Sequence, residues 1–198
     1  METKIILDDT EKHRYLLEKT WDTDKGIAAI LMLYPCSSVP EEMDLTTMLV
    51  INNLRKMDYG SVRIVNIFSK LNLFLRADSE PNNPENNDII VQAVNGADTV
   101  IIAYGKSGEG NHKISKRQQE VLMLLEPFKS KLVTIEDPYG TKGFHPLTPS
   151  IRKFWKLVPF DFPDIKSVEQ DDRKQETQEN TIEEDIKPKK KRISKKVS

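Results

Sequence analysis

IAAILMLYPCSS, residues 27–38, decides the fold. Residues 27–34 are almost wholly apolar and then stop at Pro35. A strand with one wet face would alternate apolar and polar residues. A continuous apolar run instead reads as a strand buried on both faces, as in the middle of a mostly parallel sheet. Two further runs have this character, VRIVNIF at 62–68 and TVIIAYG at 99–105, and KLVTIED at 131–137 is a weaker fourth. Upstream, KIIL at 4–7 and RYLLEK at 14–19 read as two short strands around a polar turn.

The spacers between the apolar runs carry helical spacing. In 44–57, Asp44 is placed to cap the first turn, with Leu45, Met48, Leu49 and Leu54 as the apolar stripe. Residues 86–97 form a shorter helix ending near Gly96. In 114–129, Ser115 is the expected cap, Val121, Leu122, Leu124 and Leu125 the stripe, and Pro127 the stop. Strands alternating with helices imply right-handed β-α-β crossovers. The expected fold is α/β, a three-layer sandwich with a mostly parallel central sheet. In open sheets of this kind the ligand site lies beyond the carboxyl ends of the strands. That places YPCSS, NIFS, YGKSG and the segment after 137 on one rim.

The chain has 198 residues, 37% hydrophobic and 31% charged, with a formal net charge of −1. This size suits one domain and a tail, expected at 1–163 and 164–198. The tail loses all periodicity. It runs through an acidic block into KPKKKR, including Lys189, Lys190, Lys191 and Arg192. It reads as a disordered segment whose basic end either binds nucleic acid through counterion release or only solubilises the chain. Residues 71–87 form a long polar connection with two prolines. The single cysteine excludes an internal disulfide and a multi-cysteine zinc site, and fits a reducing, cytoplasmic setting. No metal site is expected, because His13, His112 and His145 are far apart in sequence and lack ligand spacing. No apolar run approaches the roughly 20 residues of a bilayer span, and the N-terminus lacks the apolar core of a signal peptide. A membrane partner is therefore not expected, and nothing in the motifs calls for a cofactor.

The rim segments supply the candidate site. Cys36 reads either as a nucleophile, with His145 as its base, or as a packing residue. Ser37 and Ser38 suit turn capping or phosphate contact, since no Gly-x-Ser-x-Gly elbow surrounds them. His145 precedes Pro146, which restricts it to extended backbone. It reads as a donor to a base or phosphate, or as a loop pin. Asn66, inside an apolar strand end, either meets a ligand edge or ties loops together. Asp44 is a cap or a general base. YGKSGEGN at 104–111 lacks both the Walker order and the dinucleotide fingerprint, so Lys106 is kept only as a phosphate contact.

In order along the chain stand RYLLEKTW (14–21), LYPCS (33–37), DLT (44–46), NIF (66–68), YG (104–105) and HPL (145–147). This series resembles the DUF1643 family of bacteria and phages, whose function is unassigned. That family carries Asn-Pro-Ser where this chain has Tyr34, Pro35 and Cys36, and Trp-Gly where it has Tyr104 and Gly105. More distantly the order is similar to uracil-DNA glycosylases. The resemblance implies a glycosylase-like fold in which the turn positions a water, Asn66 reads a flipped base, and His145 stabilises the leaving base. Tyr34, Pro35, Cys36, Ser37, Asp44, Tyr104 and Gly105 would then bind substrate. The expected function is a nucleic-acid- or nucleotide-associated protein with a base-processing pocket. If it is an enzyme, it is a DNA-glycosylase-like hydrolase. The alternative is a non-catalytic nucleotide-binding, DNA-binding or inhibitor protein related to phages.

Overall fold

A computed structural model describes residues 1–39, 43–71, 84–106 and 110–163. Met1–Asp161 form one compact unit. Its strands are β1 (Glu2–Leu7), β2 (Arg14–Thr20), β3 (Gly26–Met32), β4 (Tyr59–Asn66), β5 (Thr99–Ile102), β6 (Leu132–Glu136) and β7 (Lys156–Pro159). Its α-helices are α1 (Leu45–Lys56), α2 (Glu85–Asn95) and α3 (His112–Leu125). The expected tail, with Lys189, Lys190, Lys191 and Arg192, lies outside the described residues, as do 72–83 of the long connection and 107–109 of the glycine-rich segment.

The seven strands form one sheet in the order β1-β2-β4-β3-β5-β6-β7. β3 lies at its middle, parallel to β4 on one side and β5 on the other. Ala28, Ala29, Ile30 and Leu31 are entirely buried. Neighbouring residues of a strand point to opposite faces, so this confirms burial on both sides. Each large aliphatic side chain so buried contributes about 1.5–3 kcal/mol. The sheet is mixed rather than mostly parallel. β6 joins β5 in parallel, but β1–β2, β2–β4 and β6–β7 are antiparallel. The β1–β2 pair matches the two strands expected around a polar turn, but the pairings of β2 with β4 and of β7 with β6 leave no local signal of direction, which is why they escaped the expectation. β7, four residues with only partial burial, has too short an apolar pattern to read.

Helices cover both faces. Val50, Ile51 and Leu54 of α1 cluster with Ala28, Ile30 and Met32 of β3 and with Val62 and Ile64 of β4. The opposite face carries Arg63, whose guanidinium donates to Ala93 O of α2, and α2 packs in turn on α3. The apolar stripe of α1 differs from expectation. Leu45 and Met48 are exposed, and the buried line is Thr47, Val50, Ile51 and Leu54. That set has the i, i+3, i+4, i+7 spacing of a helix face, but it includes a threonine that an apolar count omits. α3 begins earlier than expected. Asn111, not Ser115, caps it by accepting from Ile114 N at 3.2 Å. Pro127 follows its end as expected, inside a 3₁₀ turn at Glu126–Lys131.

Candidate functional site

The carboxyl ends of the parallel strands open on one rim, where a cavity of about 540 Å³ is lined by residues from β2, β3, α1, the segment after β5 and the loop after β6. Tyr34, Cys36, Asp44, Tyr104, Gly105 and His145 line it together, so six of the expected site residues converge. Lys106 also lines it.

The floor is Arg14, a residue that the family resemblance contained but to which the sequence reading assigned no role. It begins β2 and is 4% exposed. Its Nη1 donates to Ser37 O at 2.9 Å and its Nη2 to Asn66 Oδ1 at 3.1 Å, while Nε has no partner among the described residues. Burial lowers its pKa, and Asp44 and Cys36 pull it back up. A guanidinium stays protonated through such shifts, so a fixed positive charge lies under the cavity. The sequence signal was an arginine directly before the apolar Tyr15, Leu16 and Leu17.

Asn66 does not line the cavity. It is 1% exposed and holds Arg14 from behind, while its backbone O accepts from Asn86 Nδ2 at 3.0 Å. Asn66 thus ties β2 and α2 to the end of β4 through its two oxygens, while its Nδ2 has no partner among the described residues. Asn86 also donates to Ile67 O at 3.3 Å, and Arg117 Nε donates to the same carbonyl at 2.9 Å. This buried polar network fixes the ends of β2 and β4 beneath the site. Pro35 is buried and Ser37 turns away from this cavity, with its Oγ accepting from Val39 N at 3.0 Å.

Asp44 caps α1 as expected, Oδ1 accepting from Thr47 N at 2.8 Å and Oδ2 from Thr47 Oγ1 at 3.2 Å. Its carboxylate still faces the cavity.

His145 is held from several sides. Its Nδ1 accepts from Leu147 N at 3.2 Å and its carbonyl accepts from Thr148 N at 2.9 Å. Downstream, Ile151 and Trp155 anchor the loop in the core. Burial lowers the pKa of the imidazole, with Asp44 opposing. The neutral ring with Nδ1 as acceptor carries its proton on Nε2, so it presents one N–H donor. Gly105 makes this placement possible. Its φ is +69°, and a Cβ there would lie 2.7 Å from His145 Cβ. The Tyr-Gly and His-Pro-Leu motifs, forty residues apart, are thus two halves of one contact.

Cys36 is exposed, but desolvation and then Asp44 raise its thiol pKa, with Arg14 opposing. A nucleophile needs the opposite shift. Tyr104 is buried, its hydroxyl has no partner among the described residues, and burial holds its pKa far above the usual phenol range. Tyr34, by contrast, is 42% exposed at the mouth. Among the described residues no group of three His, Cys, Asp or Glu is arranged to hold a metal ion, and no helix is long and apolar enough to cross a membrane.

A family model described as a protein of unknown function, DUF1643, matches residues 14–147. The match spans the cavity from Arg14 on β2 to Leu147 on the last loop. No curated protein and no solved structure matches the chain, so the likeness to uracil-DNA glycosylases has no support beyond the order of short motifs.

Proposed function

We infer that this chain, which belongs to the DUF1643 family, binds a nucleotide or a nucleic-acid base in the rim cavity. One observation carries the reading. Aromatic side chains, the His145 N–H and the Asp44 carboxylate, drawn from separate stretches of sequence, meet in a single cavity above a buried cation. The volume falls within the range of small-molecule sites. The exposed ring of Tyr34 suits stacking on a planar base. His145 Nε2–H and the Asp44 carboxylate offer the donor and acceptor that a base edge requires.

Binding is favoured over turnover. Both carboxylate oxygens of Asp44 are engaged by Thr47, which weakens Asp44 as a base for water. Base excision is the second reading. Among the described residues Asp44 is the carboxylate that lines the cavity, and His145 would donate to the departing base. The basic end of the tail would add sequence-independent affinity for DNA or RNA.

Thermal-shift titration with nucleobases, nucleosides, nucleotides and short DNAs tests the binding reading. A ligand at one hundred times its Kd stabilises by about 2.7 kcal/mol, which for a domain of this size is roughly 5–10 °C. No shift with any of these ligands refutes it. Release of free base from uracil-containing or modified DNA, abolished by His145→Gln, would establish turnover. Deleting residues 187–198 should flatten the salt dependence of DNA binding, and an unchanged slope removes the tail from the interface.

A further inference from the structure

A second cavity of about 300 Å³ adjoins the first, and Cys36 lines both. Its wall is formed by Lys12, Lys70, Ser37, Ser38 and Glu11. We propose that it is an anion subsite that takes the phosphate of a nucleotide whose base occupies the first cavity.

The two lysines are brought together from distant parts of the chain. Lys12 lies in the turn between β1 and β2, and Lys70 follows the end of β4. The turn and that segment are tied by backbone contacts, with Leu71 N donating to Lys12 O at 2.9 Å and a bridge pairing His13 with Lys70. The Asp8 carboxylate is committed to the turn, where Oδ1 accepts from the backbone N–H of Lys12 and of His13, each at 2.8 Å. Neither lysine ammonium forms an ion pair among the described residues. Among the described residues, two ammonium groups stand against the single carboxylate of Glu11, which leaves the cleft net positive. Ser37 and Ser38 add polar groups to the same wall. An ammonium is a point-charge binder of phosphate. Cys36 lines both cavities, so a ligand seated on Tyr34 would reach the second by extending a charged substituent past the thiol.

This subsite rests on the base-binding reading for its ligand but can be tested apart from it. Cys36 is the chain's only cysteine, so its rate of alkylation by iodoacetamide reports occupancy of either cavity. The probes are inorganic phosphate, the common nucleosides and their 5′-monophosphates, at matched ionic strength, on the full chain. Phosphate should slow alkylation, and a monophosphate should protect at about tenfold lower concentration than its nucleoside. In the Lys12→Gln/Lys70→Gln variant both effects should fall to within twofold, with nucleoside protection unchanged. Glu11→Gln should strengthen phosphate protection about twofold to threefold, because it removes the opposing charge. Thermal unfolding of each variant confirms that it is folded. If neither phosphate nor any monophosphate outperforms its control, or if the double lysine variant keeps the phosphate advantage, the subsite is overturned. If phosphate protects while no nucleoside does, the subsite stands and the base-binding reading fails.

Discussion

Replacing Gly105 with alanine isolates the contact on which the placement of His145 depends. Two costs arise. The backbone at φ +69° is disfavoured for any residue with a Cβ, at about 1 kcal/mol. In addition the new methyl would lie 2.7 Å from His145 Cβ, 3.3 Å from its N and 3.6 Å from its Cα. Those atoms belong to the backbone and stem of a loop anchored by Ile151 and Trp155, so they cannot swing away as a flexible tip would. Overpacking of this kind costs a further 1–3 kcal/mol or so. The expected total is about 2–4 kcal/mol. Gly140→Ala is the control. Its φ is +83°, and nothing lies within 4 Å of its added Cβ, so it carries only the backbone cost of about 1 kcal/mol. Urea unfolding at pH 7.5 with a common slope measures both. A double-mutant cycle with His145→Gly closes the reasoning. Without the histidine Cβ, the excess of Gly105→Ala over Gly140→Ala should shrink to a few tenths of a kcal/mol. The reasoning is refuted if the two glycine variants lose equal stability in the wild-type background.

Arg14→Met should cost about 2–5 kcal/mol in urea unfolding, because it leaves Ser37 O and the buried Asn66 Oδ1 without their donor. Arg14→Lys should recover less than half of this, since an ammonium lacks the planar fork that spans both acceptors. His145 sets a pH dependence of definite sign. Its folded pKa lies below the ordinary 6.5, so the unfolded chain takes up the proton more readily. Its neutral-form stability is complete above that value and is lost as pH falls below it towards the folded pKa. The fall in unfolding free energy between pH 7.5 and 5 should therefore be smaller in His145→Gln than in wild type, and equal falls would contradict the shift. Cys36 should alkylate more slowly than a free thiol at neutral pH, and Asp44→Asn should speed the reaction by lifting an opposing charge. A half-maximal rate below pH 8 would restore the case for an activated thiol.

Six of the seven strands, the three helices and the shared rim were legible in the local sequence. β3 was legible because burial on both faces demands apolar residues at consecutive positions, and that demand is local. The helix between β3 and β4 and its Asp44 cap were legible for the same reason: spacing and capping are set within a turn or two. Once parallel crossovers were inferred, the shared rim followed, and with it the meeting of Tyr34, Cys36, Asp44, Tyr104 and His145. Only the tertiary structure decided the rest. That β2 runs antiparallel to β4, and β7 to β6, depends on partners outside each strand's own pattern. The role of Arg14 depends on Asn66, fifty-two residues away, and on Ser37, neither of which changes its local pattern. The bond from Arg14 to Asn66 was hidden for the same reason, since a buried amide looks identical in sequence whether it faces a ligand or a guanidinium. Gly105 read only as a substrate contact implied by the resemblance, and the approach of His145 from the loop after β6 gave its missing side chain a purpose. Local chemistry writes itself into neighbouring residues, whereas a contact across the fold leaves no periodic trace, so its physical reason appears only when both partners have been placed.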